Sequence, residues 1–208
     1  MANTAEPPRK LPAELESPVD TLLYQFVPCT ATVAHGLRLT PNMITGISAV
    51  FGVLAIMALR DRRLAAFSVC FGLSYFFDCV DGYVARKYNQ VTVLGDWLDH
   101  VKDIAVYVCI ATILVARMCA AGQQGACVLL TSLVVLYLAI VHMYFTERRY
   151  CESDETGSRR GCSAILMSAG AVVPSSAFGG TTEERLRRTR WFGMGTAMLA
   201  TIVAAWLV

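Results

Sequence analysis

Four aspartates, placed in two pairs, are the residues of this 208-residue sequence whose spacing could do chemistry. Asp78 and Asp81 are three residues apart, and Asp99 and Asp103 are four apart, so each pair shares one face if its segment is helical. Hard divalent ions such as Mg²⁺ and Mn²⁺ prefer oxygen ligands of this kind. The spacing therefore predicts one metal site built by both pairs, with room for two ions about 4 Å apart.

The composition around these aspartates is unusually apolar. Hydrophobic residues make up 55% of the chain and charged residues 16%, and the mean hydropathy is +0.50, which is typical of a polytopic membrane protein. The net charge of +2, without a long basic run, argues against nucleic-acid binding. Because a carboxylate near the bilayer interior costs roughly 2.5 to 3.5 kcal/mol, the four acids need compensation. Arg86 and Lys102 could neutralise two of them.

Apolar runs between short charged stretches predict an all-α bundle of membrane-spanning helices. An amphipathic segment over 17–33 is expected to lie in the membrane interface before the first span. Asp78 and Asp81 then close the second spanning helix, while Asp99 and Asp103 open the third. The predicted spans cover residues 43–59, 64–87, 95–116, 126–145 and 191–208.

The number of spans depends on the stretch 163–178, which is short and contains Gly170 and Pro174. We expect six transmembrane helices, with five helices plus a re-entrant segment as the alternative. If the N-terminus is cytosolic, six spans divide the Lys and Arg residues nine inside against eight outside. Five spans divide them thirteen against four, so the positive-inside rule favours the alternative.

The chain reads as one domain. Residues 1–16 are polar and Pro-rich and are predicted to be flexible, and they lack the pattern of a cleaved signal peptide. Residues 17–208 are predicted to form a single membrane-embedded domain. The eight cysteines show no metal-ligand spacing and indicate neither a zinc site nor a disulfide framework.

The two acidic pairs belong to a longer pattern of small and charged residues. It reads Asp78-x2-Asp81-Gly82-x2-Ala85-Arg86-x8-Gly95-x3-Asp99-x3-Asp103. This pattern resembles the complete signature of the CDP-alcohol phosphotransferase family, and Thr40-Pro41-Asn42 at the start of the first span is similar to that family too. The resemblance implies an enzyme of phospholipid biosynthesis. Such an enzyme moves a phospho-alcohol group from a CDP-linked donor to an alcohol acceptor and releases CMP.

The resemblance also implies roles for the residues of the pattern. The four aspartates would hold Mg²⁺ or Mn²⁺, and Arg86 would neutralise the diphosphate, although an Arg at a helix end also serves as an interfacial anchor. The residues expected to contact CDP are Asp81, Gly82, Ala85, Arg86 and Gly95. Asn42 is a further candidate for substrate binding, but helix capping explains an Asn there equally well.

Two residues are candidates for the base that deprotonates the acceptor hydroxyl. The family mechanism favours Asp103. The Asp99-His100 pair, however, resembles choline and ethanolamine phosphotransferases, in which the histidine is a proposed base, and histidine titrates nearest to neutral pH. The following residues depart from the usual Asp-His-Gly-Cys-Asp of those enzymes, and a polar helix residue without a chemical role is the alternative for His100.

The pattern does not decide which substrates are used. We expect CDP-choline or CDP-ethanolamine with diacylglycerol, because of His100 and because the 17–45 region is similar to the eukaryotic enzymes. The alternative is CDP-diacylglycerol-dependent synthesis of phosphatidylinositol or phosphatidylglycerophosphate. An ion or proton transporter would also place acids in the membrane, but it would not need Arg86 or the glycines. The resemblance implies a homodimer among membrane lipids, with a cytosolic active site and, in a eukaryotic cell, residence in the endoplasmic reticulum.

Overall fold

The computed structural model describes residues 10–153, 167, 168, 170, 173 and 179–208. Within these residues the regular structure is entirely helical, which confirms the all-α prediction. The 3-10 turn Arg190–Phe192 joins the last two helices. The helices are α1 (Pro18–Leu23), α2 (Val27–Gly36), α3 (Pro41–Arg60), α4 (Leu64–Lys87), α5 (Val93–Ala120), α6 (Gly122–Ser153), α7 (Thr182–Thr189) and α8 (Met194–Leu207).

In the described part of the chain, five segments are long and apolar enough to cross a membrane. They are Pro41–Arg60, Leu64–Lys87, Val93–Ala120, Gly122–Glu152 and Thr182–Leu207. Their outer faces expose large apolar side chains such as Val69, Leu130 and Val203, as lipid-facing surfaces do. The protein is an integral membrane protein, as the composition predicted.

Helix α6 and the final segment α7–α8 run antiparallel. At one end Thr182 Oγ1 donates to Glu152 Oε2 at 3.3 Å, and at the other Gln124 Nε2 donates to the Leu207 carbonyl at 3.3 Å. A single crossing by 163–178 would make these two segments parallel. Their direction therefore fits the five-span alternative rather than six successive spans. The 163–178 stretch itself lies largely outside the described residues.

The final span is broken rather than continuous. Helix α8 has 14 residues and by itself is about 21 Å long, which is less than the ~30 Å of a bilayer core, so α7 and the 3-10 turn complete the segment. Gly193 is extended at the break, and a Cβ there would lie 2.5 Å from Ser17 Cβ. Close approach of the N-terminal region thus requires a residue without a side chain at this position.

The packed structure begins before the predicted domain boundary at residue 17. Leu11 and Leu15 are buried in one cluster with Phe145 and Leu186, and Lys10 Nζ lies 2.8 Å from Glu147 Oε2. Leu11 and Leu15 are thus packed against α6 and α7, while the division of the chain at residue 17 stays a prediction. Residues 1–9 lie outside the described part of the chain.

The predicted interfacial segment 17–33 forms two short helices instead of one. Helix α1 ends at Leu23, and Pro28 stands in the first turn of α2, where its missing N–H is tolerated. Helix α2 buries Val27 and Ala31 against α4. The cysteine spacing indicated no disulfide framework, and the structure has Cys151 in a disulfide bond.

Asp20 links α1 to two spanning segments through hydrogen bonds. Its carboxylate accepts hydrogen bonds from Ser17 Oγ at 2.5 Å, from Tyr75 Oη at 2.7 Å and from the Gly195 amide at 3.1 Å. Tyr75 belongs to α4 and Gly195 to α8, so one buried acid links three helices. Burial raises the pKa of Asp20 above its ordinary value of 3.8.

The raised pKa of Asp20 predicts a pH-dependent stability. A carboxyl whose pKa is raised on folding stabilises the fold below its ordinary pKa, and this contribution is lost as the pH rises through the folded value. Thermal unfolding in detergent from about pH 4 to about pH 8 should show a smaller loss for Asp20→Asn than for the wild type. Asp20→Ala, which removes the acceptor of Tyr75 and Gly195, should cost about 1–3 kcal/mol throughout. Equal pH dependence of stability in the wild type and in Asp20→Asn would contradict a raised pKa of Asp20.

Candidate active site

The turn between α4 and α5 brings the two acidic pairs together. Asn89 adopts a left-handed conformation with φ 52°, and Thr92 caps α5 by accepting a hydrogen bond from the Gly95 amide at 3.0 Å. The chain therefore reverses within a few residues, and the end of α4 lies beside the start of α5. The prediction that the two pairs close one helix and open the next is confirmed.

Three of the four predicted metal ligands form a compact group. Among the described residues, Asp78, Asp99 and Asp103 each offer a carboxylate oxygen within 4.8 Å of the other two. Oxygen ligands lie about 2.0–2.6 Å from Mg²⁺ or Ca²⁺, so one ion can reach all three atoms. The donor set, which consists of oxygen alone, fits a hard divalent ion.

Asp81 lies next to this group rather than within it. It is only 5% exposed, and its Oδ2 accepts a hydrogen bond of 2.6 Å from Thr45 Oγ1 on α3. The acidic site thus has two parts, namely the group of three carboxylates and one deeply buried carboxylate held by a hydroxyl.

Lys102 provides the cation at the centre of the three carboxylates. Its Nζ contacts Asp78, and lies 3.1 Å from Asp99 Oδ1 and 2.9 Å from Asp103 Oδ1. It also donates to Ser48 Oγ at 3.1 Å. The sequence predicted that Lys102 would neutralise one acid, whereas its ammonium contacts three. Arg86 instead donates to the Tyr24 hydroxyl at 3.4 Å.

A cleft opens beside the acidic group, with a cavity of about 120 Å³. Helices α3, α4 and α5 each supply part of its wall. All six residues predicted to contact the substrate line it, and so do Asp99 and His100. Those six residues are Asn42, Asp81, Gly82, Ala85, Arg86 and Gly95.

The two glycines of the pattern leave space for polar side chains of the cleft. A Cβ at Gly82 would lie 3.1 Å from Arg86 Nη1. A Cβ at Gly95 would lie 2.9 Å from Thr92 Oγ1 and 3.0 Å from Asn42 Oδ1. Larger residues at these positions would therefore displace Arg86 or Asn42.

The two candidate bases occupy different surroundings. His100 lines the cleft, and its Nδ1 lies 2.7 Å from the Asp96 carbonyl oxygen. Because a carbonyl oxygen only accepts, Nδ1 carries the proton, and in the neutral ring Nε2 has the lone pair. Asp103 is paired with Lys102 in the acidic group, and the part of the cleft wall that the structure describes does not include it.

Sequence reasoning named Asn42 of α3 but missed Thr45 and Ser48 on the same helix. Ser48 Oγ donates to the Ser74 carbonyl at 2.8 Å, and Ser74 Oγ donates to the Ser48 carbonyl at 2.9 Å, so α3 and α4 are joined next to the acids. A signal was present, since Asn42, Thr45 and Ser48 recur at three-residue intervals along an apolar helix. The cleft residues Lys10 and Tyr150 come from distant parts of the chain and left no such signal.

The chain belongs to the CDP-alcohol phosphatidyltransferase family, whose sequence profile matches residues 38–207. This is the class that the acidic pattern and the helical fold indicated. No solved structure matches the chain.

The curated relatives that match are phospholipid synthases. A CDP-diacylglycerol–inositol 3-phosphatidyltransferase of Saccharomyces cerevisiae is 36% identical over 76 residues, which are 36% of this chain and 34% of that protein. A probable inositol 3-phosphatidyltransferase of Arabidopsis thaliana is 48% identical over 59 residues, 24% of this chain and 26% of that protein. The phosphatidylcholine synthase of Pseudomonas aeruginosa is 34% identical over 80 residues, 36% of this chain and 34% of that protein. The chain thus matches about a third of each relative or less.

Thr45→Val should destabilise the protein, because the buried carboxylate of Asp81 loses a hydroxyl donor. We expect the free energy of unfolding in detergent to fall by about 1–3 kcal/mol. Thr112→Val is a matched control, since the exposed Thr112 hydroxyl donates to the Val108 carbonyl of its own helix at 2.7 Å. The control should change stability by less than about 0.5 kcal/mol. Equal effects of the two variants would show that the contact of Thr45 with Asp81 carries no stability.

Proposed function

We propose that the protein is a membrane-bound transferase that moves the phosphatidyl group of CDP-diacylglycerol to inositol and releases CMP. One observation carries this proposal: Asp99 belongs both to the group of three carboxylates and to the wall of the cleft. A nucleotide diphosphate in the cleft would thus lie beside a metal-binding group. An ion or proton relay would need the acids, but it gives no reason for Arg86 and two glycines to line a cleft.

The choice of substrates follows the relatives. The yeast and plant proteins are named as CDP-diacylglycerol–inositol phosphatidyltransferases, which supports the alternative stated above over CDP-choline or CDP-ethanolamine with diacylglycerol. The bacterial phosphatidylcholine synthase makes choline the second acceptor to test. Each match covers about a third of the relative's length. The acceptor therefore has to be measured directly.

The cleft residues have separate tasks in this reaction. The planar guanidinium of Arg86 can donate two parallel hydrogen bonds to a phosphate, and Gly82 and Gly95 let the nucleotide approach the helix backbones. Asn42 offers an amide at the mouth of the cleft. A divalent ion held by Asp78, Asp99 and Asp103, with a second held through Asp81, would neutralise the diphosphate as a Lewis acid.

The chemical step joins the acceptor oxygen to phosphorus and breaks the bond from that phosphorus to CMP. The acceptor hydroxyl proton must pass to a base. His100 is better placed than Asp103, because it lines the cleft with Nε2 as the proton acceptor, whereas Asp103 is paired with Lys102.

The distribution of charge supports a cytosolic active site. With five spans, thirteen Lys and Arg residues fall on the side of the bundle where α4 ends and α5 begins, against four on the other. The positive-inside rule makes the first side cytosolic, and the cleft lies there. In a eukaryotic cell we place the protein in the endoplasmic reticulum. The homodimer implied by the family resemblance stays a prediction.

The reaction can be tested with purified protein in detergent and with CDP-linked donors that carry a label in their CMP portion. With Mg²⁺ or Mn²⁺, CDP-diacylglycerol plus inositol should release CMP and form phosphatidylinositol, and addition of EDTA should stop the reaction. Choline, glycerol phosphate, and CDP-choline or CDP-ethanolamine with diacylglycerol form the comparison arms. If none of these combinations releases CMP with either metal, the proposed function is wrong. If another combination is preferred, CMP-releasing transfer stands and only the assignment of donor and acceptor is wrong.

His100→Ala should lower kcat for CMP release by about 10²- to 10⁴-fold, the usual contribution of a positioned base, with little change in donor binding. His35→Ala is the control, because His35 stacks on Tyr88 with ring centroids 3.7 Å apart and does not line the described cleft. It should retain nearly full turnover. An unchanged kcat in His100→Ala, together with loss of turnover in Asp103→Asn, would transfer the base role to Asp103.

A further inference from the structure

Lys102 is largely enclosed by the groups that should hold a metal. Its side chain is only 7% exposed, and its ammonium contacts the carboxylates of Asp78, Asp99 and Asp103. This differs from an exposed surface ion pair, in which one cation meets one acid and contributes little. Here a single cation serves the whole group of three carboxylates.

The ammonium is also held from a fourth direction. Ser48 Oγ accepts a hydrogen bond from Lys102 Nζ at 3.1 Å while it donates to the Ser74 carbonyl at 2.8 Å. An ammonium has three N–H donors, and four oxygen groups surround this one within hydrogen-bonding distance. The position is therefore built from α3, α4 and α5 together.

A divalent ion and this ammonium need the same space. The three carboxylate oxygens lie within 4.8 Å of one another, so the group encloses room for one cation at its centre. Two cations so close together would repel each other. Metal binding must then displace the ammonium from at least part of its contacts.

We propose that Lys102 is a built-in counter-ion of the acidic site, which holds the three carboxylates together without metal and competes with the divalent ion. Lys102 is a positioning residue in this account, and it lowers the metal affinity of the site. The inference rests on the proposed function only in taking this group as the metal site. It predicts a property of metal binding that requires neither substrate nor turnover.

The test is Mn²⁺ titration, followed by electron paramagnetic resonance, of wild-type protein and of Lys102→Met in detergent. The Met variant should bind Mn²⁺ about tenfold more tightly or better, because a competing charge is removed. In EDTA it should unfold at a lower temperature than the wild type, because the carboxylates lose their counter-ion, and Mn²⁺ should restore more of its stability. An unchanged or weaker Mn²⁺ affinity in folded Lys102→Met would overturn the proposal.

Lys87→Met is the matched control. Lys87 lies at the end of α4 near Tyr83 and Tyr88, with Nζ 5.7 and 5.5 Å from their ring centroids. The Lys87→Met variant should therefore leave the Mn²⁺ affinity unchanged. If both variants gained Mn²⁺ affinity equally, the loss of one positive charge would explain the gain, and the proposal would be overturned.

A second variant covers the case in which Lys102→Met does not fold. Ser48→Ala keeps the charge and removes one contact of the ammonium, so it should tighten Mn²⁺ binding by a smaller factor, about two- to fivefold. An unchanged Mn²⁺ affinity in Ser48→Ala would also contradict competition between the Lys102 ammonium and the metal ion. If the wild type itself binds no Mn²⁺, the metal site of the proposed function fails, and this outcome is distinct from equal affinities in the wild type and the variants.

Discussion

The structure depends on the placement of four carboxylates at the ends of two membrane helices. Acids of this density at the membrane must be paired, hydrogen-bonded or bound to metal, because their desolvation is costly. The described contacts meet this need in two ways. Lys102 pairs with three of the acids, and Thr45 donates to the fourth, Asp81. The same contacts hold the carboxylates where a divalent ion can bind them.

The local structure follows from this requirement. The tight turn after α4 places the acids of α5 beside those of α4, and α3 packs against both with its polar side chains directed at them. Small residues at Gly82 and Gly95 leave space for Arg86 and Asn42, so the acidic group opens into a cleft instead of a packed core. The cleft makes phosphate-transfer chemistry the function that these residues support, and membership in the CDP-alcohol phosphatidyltransferase family agrees with it.

The acidic pattern and its helices could be predicted from the sequence because they depend on short-range spacing. Residues three or four apart share a helix face, and the apolar runs have the length of a bilayer span. Contacts between distant segments could not be predicted in this way. Lys10 beside Glu147, Asp20 bridging to Gly195, and the break at Gly193 follow from three-dimensional packing. The contact of Lys102 with Asp78 was also missed, since spacing along α5 does not reveal which residue of α4 lies beside it.

The most direct test of the account is an anomalous-difference map from crystals of the purified protein grown with Mn²⁺. The account predicts a manganese peak bonded to carboxylate oxygens of Asp78, Asp99 and Asp103, with the Lys102 ammonium moved from their centre. The contradicting result is a map without a peak among these carboxylates, and with Lys102 still between them, at a Mn²⁺ concentration that supports CMP release.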